Sequence, residues 1–319
     1  MLSSIRSVTA GSDNLRGILA MTAAMASFVA GDSIIKFVGR ELPPGEMMFI
    51  RGVFASSITL SAAYAAGALK QFYVAITLPM LVRAVGEVGA TLFFFLALRR
   101  LPFAEVSAIS QFAPLAITAG AAVFLAEPVG WRRWTALVVG LVGVLIIIRP
   151  GGAAFDWAAL FVLCSVLSVT IRDLLTKRIG LALPALMLVS FSAVSVTLGG
   201  LVLMPIETWQ LPSPGALALL ATAGVTVFGG NFWTVVAMRS GDMGVVTPFR
   251  YVATPFAVVS GYFVFGELPD ALTFLGIAIV IGAGLYTLHR ERVRLRTMYR
   301  LDVKASPEVE ARASGERES

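Results

Sequence analysis

The chain of 319 residues is 57% hydrophobic and 14% charged, against about 45–50% apolar and about 25% charged in soluble domains, which excludes a water-soluble globule. Its net charge of +6 comes from Lys and Arg at the edges of apolar runs and in the tail, the placement of topology signals rather than of a phosphate groove, so no nucleic-acid partner is expected. One cysteine, Cys164, and one histidine, His289, supply neither a disulfide framework nor a transition-metal ligand set, and no metal or cofactor is expected.

Ten apolar runs, near 17–37, 46–67, 73–98, 103–125, 132–149, 156–177, 184–204, 214–238, 243–265 and 271–289, are each about as long as the 20 residues a helix needs to cross the hydrocarbon core. The first is too long for the apolar part of a cleaved leader and reads as a retained helix. It ends in "GDSIIK", where Asp32 and Lys36 share a helix face at i,i+4. They read as a pair at the membrane exit, with Asp32 deep enough to be a gate or coupling candidate. In the third run "VRAVGEV" sets Arg83 and Glu87 one turn apart, well inside an apolar segment. Charge there costs about 2.5–3.5 kcal/mol on insertion scales, so it faces a cavity or a partner. The two residues either bind a polar ligand, with Glu87 a candidate proton acceptor for coupling, or simply neutralise each other.

The fourth run carries Gln111 just before Pro114, and the fifth has Gly140 and Gly143, suited to close helix packing or to a homodimer contact. Cys164 in the sixth reads as a small packing residue. Asn231 and Trp233 follow two glycines in the eighth, and Arg250 and Tyr251 lie between Pro248 and Pro255 in the ninth. Arginine offers a planar fork of donors, tyrosine a stacking face with a polar tip, and the prolines free backbone carbonyls. Arg51, at the start of the second run, reads as an edge residue whose stem reaches toward water. Glu127 and Glu267 read as caps of the fifth and tenth helices.

With the amino terminus cytoplasmic, that side gathers Arg6, Arg16, Lys70, Arg132, Arg133, Lys177, Arg178 and Arg239, and the tail adds six more between Arg290 and Lys304. The opposite side holds Lys36, Arg40, Arg99, Arg100 and Arg149. Both termini are therefore expected in the cytoplasm of a multi-pass inner-membrane protein. Residues 1–16 form a leading segment and 290–319 a basic, polar tail; "LHRERVRLRTMYRL" reads either as a helix on the anionic leaflet or as a plain solubilising extension.

The chain also repeats itself. "DSIIK" at 32–36 returns as "DLLTK" at 173–177, Leu42-Pro43 as Leu183-Pro184 and Pro114 as Pro255, all at one common displacement. Ala97-Leu98-Arg99 returns as Ala237-Met238-Arg239, and "FLAEPVGW" at 124–131 as "FVFGELPD" at 263–270, both at nearly the same displacement. Residues 17–149 and 156–289 thus read as two five-helix units. Because five is odd, the second enters from the other side. The fold expected is an all-α integral membrane protein of ten transmembrane helices in two inverted five-helix repeats, an architecture suited to alternating access.

At these residues the sequence resembles the drug/metabolite transporter superfamily, in its ten-helix EamA-type branch. The matching stretches are "FIRGVFA" at 49–55, "FFLALRRLPFAEVSAISQFAPL" at 94–115, "FLAEPVGWRRWTALVVGLVGVLIIIRPGG" at 124–152 and "PFRYVATPFAVVSGYFVFGELPD" at 248–270. The resemblance implies a central cavity lined by helices 1–4 and 6–9, with helices 5 and 10 behind. It also implies a carrier of a small polar or heterocyclic metabolite, riboflavin-like or S-adenosylmethionine-like. An amino-acid or drug exporter is the alternative within the family, and a non-transporting sensor or scaffold the alternative outside it. No nucleophile with an activating histidine and no phosphate loop is present, so no enzyme is expected. The binding candidates are Arg83, Glu87, Gln111, Asn231, Trp233, Arg250 and Tyr251.

Overall fold

The computed structural model describes residues 2–68, 77–127, 129–152, 155–179, 185–240 and 242–304, with the backbone alone for 2–12, 179, 185, 291 and 294–304. Lys70, Leu183-Pro184 and the tail beyond Lys304 lie outside the described residues. All the regular structure described is helical: α1 (Leu2–Val38), α2 (Pro44–Ala65), α3 (Leu78–Leu98), α4 (Phe103–Ser110), α5 (Ala113–Phe124), α6 (Trp131–Ile148), α7 (Ala158–Ile179), α8 (Ala185–Leu203), α9 (Pro214–Ser240), α10 (Met243–Val246), α11 (Ala253–Ser260) and α12 (Ala271–Lys304). Prolines stand in the first turn of α2, α3 and α5, where a missing N–H loses nothing because no acceptor precedes it. α12 runs without a break through the basic segment for which the sequence allows two readings.

Among the described residues nine helical stretches are long and apolar enough to cross a membrane. The ninth crossing in chain order is not one of them, because it is assembled from pieces. α10 passes into a 3₁₀ turn at Thr247–Val252, then α11, then a π turn at Gly261–Phe265. Pro248 and Pro255 each withhold a backbone donor from this crossing, which shortens its regular stretches. Gly266 takes the left-handed φ of 70° that ends it. The fourth crossing is broken in the same way, at Gln111-Phe112 between α4 and α5, just before Pro114. In sequence each reads as a single span, the ninth loosened by its prolines; the two breaks fall at positions related by the displacement of the repeat.

The pairings of crossings follow the exchange of halves. α1 packs on α9 and α3 on α7, which are the same contact with first and second half interchanged; α2–α8, α6–α12 and α4–α11 are contacts that exchange maps onto themselves. Gly86 brings α3 within contact of the α7 backbone at Ser168 and Arg172. Gly140 faces Leu115 and Phe112, and Gly143 faces Gly276 across α6–α12, so these glycines are used within the chain. Val138, Val139, Val142 and Leu145 on the opposite side of α6 are exposed, as suits a surface against lipid. The main buried cluster includes Ile35, Leu42, Met47, Phe95, Leu98, Leu101 and Phe103. These residues stand at the end of the bundle where α1 stops and α4 begins.

Candidate functional site

A cavity of about 290 Å³ lies between α2, α3, α7, α8 and α9. Its polar lining includes Arg51, Arg83, Glu87, Arg172, Asp173, Thr176, Ser192 and Asn231. Arg83 is 6% exposed; its Nε donates to Thr176 Oγ1 at 2.8 Å and its Nη2 to Ser192 Oγ at 3.0 Å. Ser192 in turn donates to Glu87 Oε2 at 2.8 Å. The ion pair expected between Arg83 and Glu87 is loose, at 3.7 Å, and the closer partner of Glu87 is Arg172, at 3.1 Å. Arg172 also binds Asp173 at 2.8 Å. Two cations and two carboxylates therefore form one network in which Arg83 Nη1 is buried with no partner. A buried guanidinium donor left unpaired is costly, which marks this end of Arg83 as held ready for an acceptor rather than satisfied by the fold.

A second cavity of about 300 Å³ is lined by Gln111, Thr118, Glu127, Lys177, Arg250 and Tyr251, with Gly284, Thr287 and Leu288 contributed by α12. The tenth helix, expected to stand behind, thus forms part of a wall. Gln111 Nε2 donates to the Arg250 carbonyl at 3.1 Å, across the two broken crossings. The Tyr251 hydroxyl is buried against Gly284 with no partner. Arg172 and Asp173 line both cavities, so the network separates one from the other. The seven binding candidates divide accordingly. Arg83, Glu87 and Asn231 line the first cavity and Gln111, Arg250 and Tyr251 the second, while Trp233 lines neither and packs against Phe232 with ring centroids 5.4 Å apart.

Several expectations about end-of-helix charges are corrected. Lys36 does not pair with Asp32. Its ammonium reaches Glu267 Oε1 at 2.9 Å and the Leu101 carbonyl at 2.6 Å, because Glu267 stands over the exit of α1, while Asp32 faces the charge of Arg51 on α2. Glu267 does not cap its own helix; its Oε2 accepts the Phe103 N–H at 2.9 Å, at the start of α4. Glu127 likewise pairs with Lys177. Arg51, read as an edge residue, lines the first cavity and lies over the Phe95 ring at 4.7 Å. Beyond the helix ends, Arg149 binds Asp270, and this hydrogen bond, with those from Thr273, holds the Asp270 carboxyl well below the usual carboxylate range. Among the described residues no group of three His, Cys, Asp or Glu side chains converges as a metal site.

Arg172, Thr176 and Ser192 are absent from the candidates read in sequence. Arg172 had a signal: it lies inside the end of the sixth run, too deep for a topology charge. The hydroxyls had none, because most serines and threonines here bond their own helix one turn back, as Ser195 and Thr234 do.

Comparison with known proteins adds to this geometry. The model of the EamA-like transporter family matches residues 15–149. The S-adenosylmethionine uptake transporter of Rickettsia conorii is 27% identical over 286 residues, covering 87% of this chain and 94% of its own length. The riboflavin transporter of Rhizobium johnstonii is 30% identical over 201 residues, covering 62% and 66%. The pseudopaline exporter of Pseudomonas aeruginosa is 25% identical over 277 residues, covering 84% and 94%. A chain of known crystal structure matches 87% of this one and 98% of itself with a TM-score of 0.60 at 18% identity, which bears on the fold alone.

Proposed function

The chain belongs to the EamA-like transporter family, within the drug/metabolite transporter superfamily, as a multi-pass membrane carrier of small metabolites, and from that premise we propose that it carries an α-amino-acid conjugate of the S-adenosylmethionine type. The observation that carries this reading is Arg83, which lines the central cavity beside Glu87 and keeps one guanidinium nitrogen, Nη1, buried without a partner. A substrate carboxylate satisfies that donor, while Glu87 and Asp173 answer the substrate's ammonium and sulfonium charges. Asn231 supplies an amide to the adenine edge. The match to relatives named for S-adenosylmethionine uptake, over 87% of this chain, agrees with the choice. The units 17–149 and 156–289 exchange roles as the carrier opens to either side, with both termini in the cytoplasm.

The test is uptake by purified protein in liposomes. Saturable entry of S-adenosylmethionine is expected, competed by S-adenosylhomocysteine but not by methylthioadenosine, which lacks the amino-acid part. Saturable riboflavin uptake without S-adenosylmethionine uptake would instead favour a flavin. That second reading draws on the riboflavin-transporter relatives and on the Gln111, Arg250 and Tyr251 corner of the second cavity.

A further inference from the structure

We propose that Lys36–Glu267 and Lys177–Glu127 are the two latches of the carrier, one at each end of the bundle, and that their inequality sets which end is closed when the carrier is empty. The two pairs are one contact seen twice. Lys177 is the repeat counterpart of Lys36, and Glu267 that of Glu127, and each pair joins the lysine of one half to the glutamate of the other. Each ties the end of a first crossing of its half to the end of the broken fourth crossing of the opposite half. A latch between halves at those two places opposes separation of the elements that must part for that end to open.

The latches are in different states. At the Lys36 end the side chains are 7% and 29% exposed; Lys36 also holds the Leu101 carbonyl, Glu267 holds the start of α4, and the Phe265 ring lies 5.3 Å from the ammonium. At the Lys177 end the side chains are 54% and 40% exposed, and both line the second cavity. The repeat counterpart of Phe103 is Met243, at the start of α10. Glu127 is not the cap there; Asp242 serves its own helix, accepting from Gly244 N at 2.8 Å while pairing with Arg292 at 3.4 Å. The structure thus buries its latch at the Lys36 end and leaves the other, though formed at 2.5 Å, exposed at the Lys177 end. When the halves exchange roles, Lys177 and Glu127 become the buried pair, Glu127 takes over the start of α10, and Lys36 and Glu267 become the exposed one.

A buried, hydrogen-bonded pair loses much when one partner goes, and an exposed pair loses little. Neutralising Lys36 or Glu267 therefore destabilises the present arrangement, and neutralising Lys177 or Glu127 destabilises the opposite one. Equivalent substitutions must move the population in opposite directions.

The test needs no substrate, so it stands or falls separately from the choice of S-adenosylmethionine, resting only on the carrier function. In a Cys164→Ser background, Ser107→Cys reports opening at the Lys36 end, since Ser107 is buried against Thr254, and Thr118→Cys reports the second cavity. Labelling by a membrane-impermeant maleimide is followed in vesicles of both orientations. Lys36→Gln and Glu267→Gln are expected to raise Ser107→Cys labelling at least about fivefold and to slow Thr118→Cys. Lys177→Gln and Glu127→Gln are expected to slow Ser107→Cys. The double variant Lys36→Gln with Lys177→Gln returns the ratio of the two rates toward that of the parent, whereas simple damage would add. Shifts of the same sign at both ends, or none at Ser107→Cys, overturn the proposal.

Discussion

Arg83 has five N–H donors, and the protein engages Nε and Nη2 while Nη1 is buried without a partner at the wall of the cavity. A lysine has one compact ammonium and cannot hold Thr176, Ser192 and a ligand at once. Arg83→Lys is expected to raise KM for uptake about tenfold, or ~1.4 kcal/mol, with kcat nearly unchanged, as for lost ground-state binding; an unchanged KM in proteoliposomes would remove Arg83 from the site. At this scale the candidate site was only half legible. A charge deep in an apolar run announces itself, as Arg83 and Glu87 do. Which charge from another helix answers it depends on helix rotation, and one sequence carries no such information. Lys36 reads as the answer to Asp32 because they are one turn apart, yet it is held by Glu267, from the opposite half of the chain.

The ten crossings themselves were legible, because hydropathy and length are properties of each run alone. The two breaks were partly so: Pro114, Pro248 and Pro255 mark them, but the extent of the 3₁₀ and π turns depends on how neighbouring helices receive the freed backbone. Packing between elements was legible only as a supply of glycines. At α6–α12, a Cβ on Gly143 would meet Ile279 at 2.9 Å, Val280 at 3.0 Å and the Gly276 carbonyl at 3.1 Å. Gly143→Leu is therefore expected to cost about 1–3 kcal/mol by overpacking, read as a lowered Tm in detergent with KM unchanged. Gly282, on the same helix as Gly276, has nothing within 4 Å of its Cβ position. Gly282→Ala should stay within about 0.5 kcal/mol of the parent.

For the molecule as a whole, the inverted architecture is legible in the repeat itself, since an odd number of crossings per unit leaves one solution. Its two halves are joined at the Lys36 end by Arg149 and Asp270 as well as by the latch. The Asp270 carboxyl is depressed from its ordinary value of 3.8. Its contribution is therefore complete above that value and is lost as pH falls below it. The difference in Tm between the parent and Asp270→Asn should be constant from pH 5 to 8 and shrink only in stronger acid; a change across neutrality would assign the titration to another group. The unequal burial of the two lysine–glutamate pairs has a consequence for flux. A latch lowers the free energy of one resting state without touching the solute gradient, so it cannot make an uncoupled carrier pump. It instead changes the fraction of empty carriers waiting on each side, and with it the apparent affinity measured there. Two carriers with the same binding cavity can then differ in half-saturation from the two faces of the membrane, a kinetic asymmetry written in side chains that never touch the solute.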